Sequence, residues 1–348
     1  MNSKGKIMII GGAGFIGANS ADYFRKNGYE VVIFDNLSRK GTDLNLSWLQ
    51  SEGELIFIKG DIREYGDLMN VFEEHKDISA VIHLAGQVAV TTSVTNPRED
   101  FEINALGTFN VLEAVRNSGQ NPVLIYASTN KVYGGMEDVV IAENDIQYYY
   151  RDFPDGIPED RLLDFHSPYG CSKGAGDQYV RDYARIYGLR TVVARQSCIY
   201  GYRQFGIEDQ GWVAWFVIAA VLGKPIKIFG DGKQVRDVLF IEDLVRAYEL
   251  FIQKSDKSAG KIFNVGGGAK FTLAIWTQFH PILEKLLGRK VETGHGDWRP
   301  GDQKVYISDI GMINRELGWE PKVSPEEGIT RLYEWVVANR EMLEPIFK

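Results

Sequence analysis

An apolar run, a glycine-rich turn and a helical segment open the chain and constrain its fold more than any other feature. Residues 7–10 form the apolar run, and Gly11, Gly14 and Gly17 follow it at intervals of three. Glycines allow the tight turn that joins such a strand to a helix. Apolar runs and helical segments then alternate as far as a strand predicted at residues 191–194. This alternation predicts a parallel sheet with right-handed crossovers and helices on both faces.

The length of 348 residues favours two domains over one. The regular alternation stops after residue 197 and returns only for a short stretch. We therefore predict a doubly wound α/β domain of the Rossmann type from residues 1–197 and 238–268. Residues 198–237 and 269–348 are predicted to form a smaller α+β domain. Residues 136–165, which are rich in acidic and aromatic side chains, are predicted to be an ordered loop insertion.

Composition excludes several classes of function. The net charge of -8 at pH 7, without a Lys/Arg-rich run, argues against a nucleic-acid partner. No apolar stretch is long enough to span a bilayer and no signal peptide is evident, so we expect a cytoplasmic protein with no membrane partner. The two cysteines form no CxxC pair, which fits a reducing compartment, and the five histidines lack metal-ligand spacing. We therefore expect no metal site.

An acidic residue follows the second predicted strand, residues 30–34. This residue, Asp35, lies about 20 residues after the glycine turn, where dinucleotide-binding folds carry the acid that binds the ribose. A carboxylate there accepts hydrogen bonds from ribose hydroxyls and repels a 2′-phosphate. The turn and the acid therefore predict NAD rather than NADP, with its diphosphate at a helix N-terminus. Arg39 and Lys40 could serve a 2′-phosphate instead, and a plain βα turn that binds nothing is the other alternative.

A tyrosine and a lysine are spaced to share one face of a helix. Tyr169 and Lys173 are four residues apart within residues 167–173, which open a helix predicted to continue through residues 174–187, with Pro168 near its start. A neighbouring ammonium favours phenolate over phenol, which makes the tyrosine a base near neutral pH. Thr129 follows the strand predicted at residues 123–126, at the same edge of the sheet. A surface tyrosine and lysine at chance spacing is the alternative interpretation.

The same stretch also contains the GxSxG pattern of hydrolases, in Gly170-Cys171-Ser172-Lys173-Gly174. In hydrolases that pattern makes the central serine a nucleophile, at a turn that directly follows a strand. The residues before Gly170 do not have the pattern of a strand. Hydrolysis through Ser172 is therefore disfavoured.

These motifs, in this order, resemble those of the extended short-chain dehydrogenase/reductase family of nucleotide-sugar epimerases and dehydratases. The likeness covers essentially the whole chain. It implies transient oxidation of a sugar: Tyr169 removes a hydroxyl proton while hydride passes to NAD, and the ketone takes the hydride back on its other face. Thr129 would hydrogen-bond the reacting oxygen. Lys173 would lower the pKa of Tyr169 and bind the nicotinamide ribose.

The resemblance also implies ligand contacts, with the sugar nucleotide held between the larger domain and the smaller, substrate-binding one. The implied cofactor-binding residues are Gly11, Gly14, Phe15, Ile16, Gly17, Asp35, Asn36, Ser38, Arg39, Asp61, Ile62, Leu84, Ala85, Gly86, Asn104, Tyr169 and Lys173. The implied substrate-binding residues are Gln87, Asn130, His166, Arg203, Gln204, Arg236 and Arg299. Arg236 and Arg299 would neutralise the diphosphate of the substrate.

Longer matching segments indicate which class of nucleotide sugar is the substrate. Residues 35–41, 128–134, 163–174 and 209–213 are most similar to the family members that invert C2 of a CDP-linked hexose, which implies a CDP-linked nucleotide sugar. Family dehydratases carry Asp-Glu after the active-site threonine, whereas this chain has Asn130-Lys131. Elimination of water is therefore disfavoured.

Two rival functions stay open at this point. One is a 4-epimerase acting on a UDP-hexose, although many 4-epimerases have an asparagine where this chain has Cys198. The other is a binding protein that senses NAD without catalysis. In either case the apolar helix predicted at residues 100–117 could pack in a dimer interface, and the resemblance implies a homo-oligomer.

Overall fold

The computed structural model describes residues 3–206, 210–298 and 302–347. Its strands, in chain order, are β1 (Lys6–Ile10), β2 (Glu30–Asp35), β3 (Ile56–Lys59), β4 (Ile78–His83), β5 (Val123–Thr129), β6 (Ile141–Glu143), β7 (Tyr148–Tyr150), β8 (Thr191–Gln196), β9 (Cys198–Tyr200), β10 (Ile226–Phe229), β11 (Val235–Phe240), β12 (Ile262–Val265), β13 (Thr272–Ala274), β14 (Thr293–Gly296) and β15 (Val305–Tyr306).

Helices cover both faces of the central sheet, which seven of these strands form. The α-helices are α1 (Phe15–Lys26), α2 (Thr42–Glu52), α3 (Tyr65–Glu74), α4 (Val90–Thr95), α5 (Pro97–Phe101), α6 (Gly107–Asn117), α7 (Ser167–Tyr187), α8 (Trp212–Leu222), α9 (Ile241–Gln253), α10 (Ser255–Ser258), α11 (Phe279–Leu287), α12 (Gly311–Leu317), α13 (Pro325–Ala338) and α14 (Arg340–Leu343). A π-helical turn, Glu102–Leu106, joins α5 to α6, and short 3₁₀ turns span Asn130–Tyr133 and Ala269–Phe271.

Among the described residues, seven parallel strands form the central sheet in the order β12-β8-β5-β4-β1-β2-β3. The order reverses beside β1, which pairs with β2 on one side and with β4 on the other. A doubly wound sheet binds its ligand at this reversal, outside the carboxyl ends of the strands. The predicted fold class is therefore confirmed, and the glycine turn after β1 lies at the reversal.

Alternate residues of β1 pack on opposite faces of the sheet. Ile7 and Ile9 contact one buried apolar cluster, and Met8 and Ile10 contact the other. Strands covered on both faces have nearly continuous apolar sequences, which is why residues 7–10 are all apolar. Full burial of each such side chain contributes about 1.5–3 kcal/mol. Apolar packing on both faces of the sheet therefore fixes β1, the strand that leads to the candidate site.

Two elements differ from the sequence prediction. The single helix predicted at residues 100–117 is instead α5, the π-helical turn and α6, because one extra residue is accommodated in the turn. Helix α7, in contrast, begins at Ser167 with Pro168 in its first turn, which confirms the predicted helical placement of Tyr169 and Lys173. Helix α2 was not predicted, because its apolar residues do not form a clean helical stripe.

Smaller sheets are built from the later part of the chain. Strand β11 pairs with β9, β13 and β15, and β10 pairs with β14. Strand β12, in contrast, returns to the central sheet. The boundaries at residues 197, 237 and 268 stay a prediction, and β11 runs across residue 237.

The insertion at residues 136–165 is ordered, as its sequence predicts. It contains the antiparallel hairpin of β6 and β7. Tyr148, Tyr150 and Ile157 are buried in an apolar cluster with Val235 and Tyr306. The insertion therefore packs against the smaller sheet. Within the described ranges, no helix combines the length and apolarity that crossing a membrane requires.

Candidate active site

A cavity of roughly 610 Å³ lies at the carboxyl edge of the central sheet. The glycine turn, Asp35, the residues that follow β4 and the last residues of β5 line one side, and residues 196–199, 203–206 and 210–213 line the other. The predicted catalytic and cofactor-binding residues that line it are Gly11, Gly14, Phe15, Ile16, Gly17, Asp35, Asn36, Ser38, Arg39, Asp61, Ile62, Leu84, Ala85, Gly86, Thr129, Tyr169 and Lys173. Of the predicted substrate-binding residues, Gln87, Arg203 and Gln204 also line it.

The glycine turn leaves a helix N-terminus open to this cavity. Gly11 has a φ of 81°, and a Cβ at Gly17 would lie 2.2 Å from the Gly11 carbonyl oxygen, so both positions require glycine. Gly14 begins α1, and no described side chain caps it. A Cβ at Gly14 would approach only the Gly11 carbonyl oxygen, at 3.3 Å, so the space beside it is free. Uncapped N–H groups beside free space suit an anion such as a diphosphate.

The Asp35 carboxylate is buried at the end of β2 and is oriented by the backbone. It accepts hydrogen bonds from the N–H of Ala13 at 3.0 Å and from that of Leu37 at 2.8 Å. Burial raises the pKa of Asp35, although both bonds and the charge of Arg39 oppose that rise. A carboxylate has about four acceptor sites, so two stay free for ribose hydroxyls. The turn and Asp35 together fit the diphosphate and one ribose of a dinucleotide such as NAD.

The two cations that follow Asp35 already have partners. The Arg39 guanidinium donates to the side-chain carbonyl of Gln210, and the Lys40 ammonium donates to the backbone carbonyl of Ile346. Neither side chain could therefore bind a 2′-phosphate without giving up its present hydrogen bond. This arrangement favours NAD over NADP, in agreement with the sequence prediction.

Tyr169 lies in the first turn of α7 and faces Thr129, the last residue of β5. The backbone N–H of Lys131 donates to the Thr129 hydroxyl at 3.2 Å, which fixes that hydroxyl. Burial raises the pKa of Tyr169 to about 12, and its hydrogen bond to Thr129 opposes the rise. Burial therefore favours the neutral phenol form of Tyr169, beside a positioned hydroxyl.

Lys173 is buried one helical turn beyond Tyr169. Its ammonium donates to the carbonyl oxygen of Ala127 at 2.6 Å and lies 4.2 Å from the centre of the Tyr126 ring. Burial lowers the pKa of Lys173 to about 7, although Asp177 and Asp100 oppose that change. Burial dominates the pKa of both side chains, so the pKa of Tyr169 is raised rather than lowered as its spacing from Lys173 predicts.

Gln87 and Asn104 belong to a buried hydrogen-bond network beside the cavity. The Asn104 amide donates to the Gln87 carbonyl at 2.9 Å and accepts from the Gln87 N–H at 3.0 Å. The Gln87 side chain donates to Asp100 at 3.0 Å and to Ala89 at 2.8 Å. Asn104 does not line the cavity, because these bonds hold it behind the loop after β4, and its cofactor contact stays a prediction. Ser172, the serine of the GxSxG pattern, donates to Asp100 at 2.5 Å, within a helix rather than after a strand.

Arg203 and Gln204 line the far wall of the cavity. The Arg203 guanidinium stacks 3.9 Å from the centre of the Trp48 ring. The Gln204 amide nitrogen lies 3.4 Å from the Ile199 carbonyl, while its buried amide oxygen has no partner among the described residues. An unpartnered buried acceptor is costly unless a ligand supplies a donor. Gln204 therefore suits a hydroxyl or amino group of a bound molecule.

Several predicted substrate residues lie elsewhere. Arg236 is buried and forms an ion pair with Asp302 at 2.8 Å, behind the cavity wall. Asn130 is buried outside the lining, and His166 is exposed at the start of α7. Arg299 lies outside the described residues. Arg236, Asn130 and His166 are therefore not among the residues that line the cavity.

Other side chains that line the cavity were not predicted from sequence. They include Gln196, Ser197, Cys198, Phe205, Gln210 and Trp212. Cys198 was noted only as a departure from related patterns, and burial raises the pKa of its thiol. Asp100 was missed because a carboxylate in a helical pattern is usually solvent-exposed. Only the proximity of these residues in the fold identifies them.

Comparison with known proteins matches the sequence and the architecture of this chain. A family model described as "NAD dependent epimerase/dehydratase family" matches residues 7–266. The chain is 46% identical over 335 residues to a CDP-paratose 2-epimerase of Salmonella typhi, which covers 95% of this chain and 98% of that protein. The predicted resemblance to epimerases that act at C2 of CDP-linked hexoses is thereby confirmed.

Two solved structures share the fold over nearly their full length. A UDP-glucose 4-epimerase of Thermotoga maritima with UDP-glucose has a TM-score of 0.82 and 32% identity, and the match covers 97% of this chain and 100% of that one. A dTDP-glucose 4,6-dehydratase of Streptomyces venezuelae with NAD bound has a TM-score of 0.83 and 28% identity, over 98% and 99% of the two chains. The chain belongs to the NAD dependent epimerase/dehydratase family.

Proposed function

We propose that this chain is an epimerase that holds NAD tightly and inverts C2 of a CDP-linked hexose of the paratose and tyvelose type. The observation that carries the proposal is the 46% identity to a CDP-paratose 2-epimerase over 95% of the chain, combined with Thr129, Tyr169 and Lys173 at one cavity. A nucleotide sugar is an activated glycosyl donor, so the reaction would belong to carbohydrate biosynthesis. We also propose that it takes place in the cytoplasm.

The glycine turn and Asp35 would hold NAD by its diphosphate and ribose, and Lys173 would hold the second ribose. When bound there, NAD supplies a hydride acceptor and a positive ring charge that favours the phenolate form of Tyr169. Tyr169 then removes the proton of the sugar hydroxyl at C2. Thr129 donates a hydrogen bond to the oxygen that becomes the carbonyl.

The residues of this chain carry out the proton transfers of the reaction. Because the pKa of Lys173 is about 7, its ammonium can lose a proton and the resulting amine can regain one near neutral pH. A charged Lys173 favours the phenolate of Tyr169, and a neutral one favours the phenol. Tyr169 can therefore take a proton in the first half of the reaction and return it in the second, after the ketone has turned its other face.

The cavity wall opposite the glycine turn would bind the sugar nucleotide. Gln204 offers an unpartnered acceptor, and Arg203 offers a guanidinium fixed by Trp48. Arg236 and Arg299 stay candidates for the diphosphate, Arg236 through rearrangement of its ion pair with Asp302. Asn130 and His166 would require similar rearrangement to reach a sugar.

One assay tests the proposed activity against its main rival. The purified protein is denatured to release any bound NAD, and the native protein is then offered CDP-paratose, CDP-tyvelose and UDP-glucose. We expect released NAD and interconversion of the two CDP-sugars. Conversion of UDP-glucose to its C4 epimer alone would instead support the 4-epimerase alternative, which the likeness to the Thermotoga maritima enzyme favours. Bound NAD with no turnover of any sugar would support an NAD sensor.

We further propose that the protein is a homodimer formed through α6, α7 and the turns before α6. Exposed apolar side chains on these elements include Phe101, Leu106, Phe109, Tyr179, Ile186 and Tyr187. The Phe109 and Tyr179 rings are 5.8 Å apart, so the patch continues across both helices. A patch of this kind usually marks an interface.

Sedimentation of a charged variant tests this interface. Phe109→Glu places a carboxylate within the patch, and we expect it to sediment as a monomer. Leu162→Glu is the matched control, because Leu162 is 81% exposed outside the patch. A Phe109→Glu protein with the wild-type sedimentation coefficient would contradict this interface.

A further inference from the structure

A buried carboxylate, Asp100, links three segments around the candidate site. The residue is 1% exposed and lies on α5, two residues before the first residue of the π-helical turn. It accepts from the Gln87 amide at 3.0 Å, the Asn104 amide at 3.1 Å and the Ser172 hydroxyl at 2.5 Å. These donors come from the loop after β4, from the π-helical turn and from α7. The mechanism proposed above uses none of these bonds.

The network also separates two cavities. Gln87 lines the large cavity, whereas Asp100 and Ser172 line a second cavity of roughly 250 Å³ on the outer side. Ser172 lies between Tyr169 and Lys173 on α7, so its bond to Asp100 ties the helix that carries both residues to the loop after β4. Without the carboxylate, three buried polar groups would lose their common partner.

The Asp100 charge acts on the same pair. It opposes the effect of burial on Lys173 and adds to the effect of burial on Tyr169. The other titratable groups facing the pair are Arg39 from the loop after β2, His83 from β4, Tyr126 from β5 and Asp177 from α7. Burial lowers the pKa of His83 to about 3, so its ring is neutral near pH 7.

We infer that Asp100 is a positioning residue for the reaction: it fixes α7 to the loop after β4 and supplies a negative charge behind Tyr169 and Lys173. The reaction that it serves rests on the proposed function. Its contacts can be tested without turnover, because they involve only this chain's own residues.

Two substitutions separate geometry from charge. Asp100→Asn keeps an acceptor for the amides of Gln87 and Asn104 and can donate to Ser172, whose hydroxyl then turns to the Tyr169 carbonyl at 3.2 Å. It therefore removes the charge alone. Asp100→Ala removes both charge and bonds. Glu102→Gln is the control, because Glu102 is two residues away and pairs with Arg98, which is 88% exposed.

Hydrogen exchange and kinetics of the NAD-loaded protein test the inference. We expect Asp100→Ala to speed amide exchange in residues 84–92 and to lower kcat about 10- to 100-fold with little change in KM, because misplaced catalytic groups slow the chemical step. Asp100→Asn should keep wild-type exchange and move the rising limb of kcat/KM to lower pH, because loss of the negative charge favours phenolate. Glu102→Gln should match the wild type in both measurements.

Failure of the inference and failure of the proposed function give different results. A wild-type protein without turnover contradicts the proposed function, and the exchange data still decide the role of Asp100. Wild-type exchange in Asp100→Ala would overturn the inference. If the wild type turns over, an unshifted pH profile in Asp100→Asn would overturn the role of the charge.

Discussion

The Lys173 ammonium donates a hydrogen bond to the Ala127 carbonyl oxygen at 2.6 Å, so the lysine is tied to β5 although it is carried by α7. That bond holds a basic side chain in a buried place, where desolvation lowers its pKa to about 7. The lysine can therefore change its charge near neutral pH.

This lowered pKa predicts a pH-dependent contribution of Lys173 to stability. The native lysine loses its proton near pH 7, whereas an unfolded lysine keeps it to about pH 10.5. Between these values the unfolded state binds more protons, so stability rises with pH. We expect the free energy of unfolding of the ligand-free wild type, relative to Lys173→Met, to increase between pH 7 and pH 10. Urea unfolding of both proteins across this range measures it, and a pH-independent difference would contradict the account.

Removal of the Tyr169 hydroxyl should abolish proton transfer. We expect Tyr169→Phe to lower kcat by about 10²- to 10⁴-fold, the usual contribution of a general base, while bound NAD is retained. Tyr149→Phe is the control, since Tyr149 is 40% exposed and does not line the cavity. Near-normal turnover by Tyr169→Phe would show that another group is the base.

The glycine turn offers a matched pair of substitutions. Gly14→Ala meets only one atom within 3.4 Å and should leave the melting temperature nearly unchanged, but its methyl group enters the space assigned to the diphosphate. Gly17→Ala places a methyl group 2.2 Å from the Gly11 carbonyl and should destabilise the fold. We expect Gly14→Ala to lose NAD on purification and Gly17→Ala to melt at lower temperature. Full NAD content in Gly14→Ala would place the cofactor elsewhere.

A buried ion pair anchors α7 to the sheet. Arg195 donates to both oxygens of Asp177 at 3.0 Å, and both side chains are almost completely buried. Removal of one partner leaves the other charge buried, so Asp177→Ala should cost about 3–5 kcal/mol of the free energy of unfolding. Glu102→Ala, which breaks an exposed pair, should cost less than about 1 kcal/mol. Denaturant unfolding compares them, and equal losses would contradict the argument.

Sequence patterns were sufficient for the central sheet and for one half of the site. The glycine turn, Asp35 and the Tyr169–Lys173 spacing are local patterns, because each depends on the end of a single strand or on one helical turn. The structure therefore brings these residues to one cavity. The π-helical turn at Glu102–Leu106 has no such local signature, and it alone breaks the helix predicted at residues 100–117.

The substrate side of the cavity was less predictable, because it depends on contacts between distant segments. Arg236 lies in a recognisable motif, but its ion pair with Asp302 turns it behind the cavity wall. The effects of burial on Tyr169 and Lys173 also reverse the simple expectation from their spacing. Desolvation can be judged only when the residues that surround a group are known.

The most direct test of the account follows a CDP-hexose substrate in deuterated water by NMR. If hydride leaves C2 and returns to it within the cavity, C2 inverts and keeps its original hydrogen, with no deuterium from the solvent. Inversion with deuterium at C2 would instead show deprotonation of the carbon and contradict the proposed roles of Tyr169 and NAD. We expect complete retention of the C2 hydrogen over repeated turnovers.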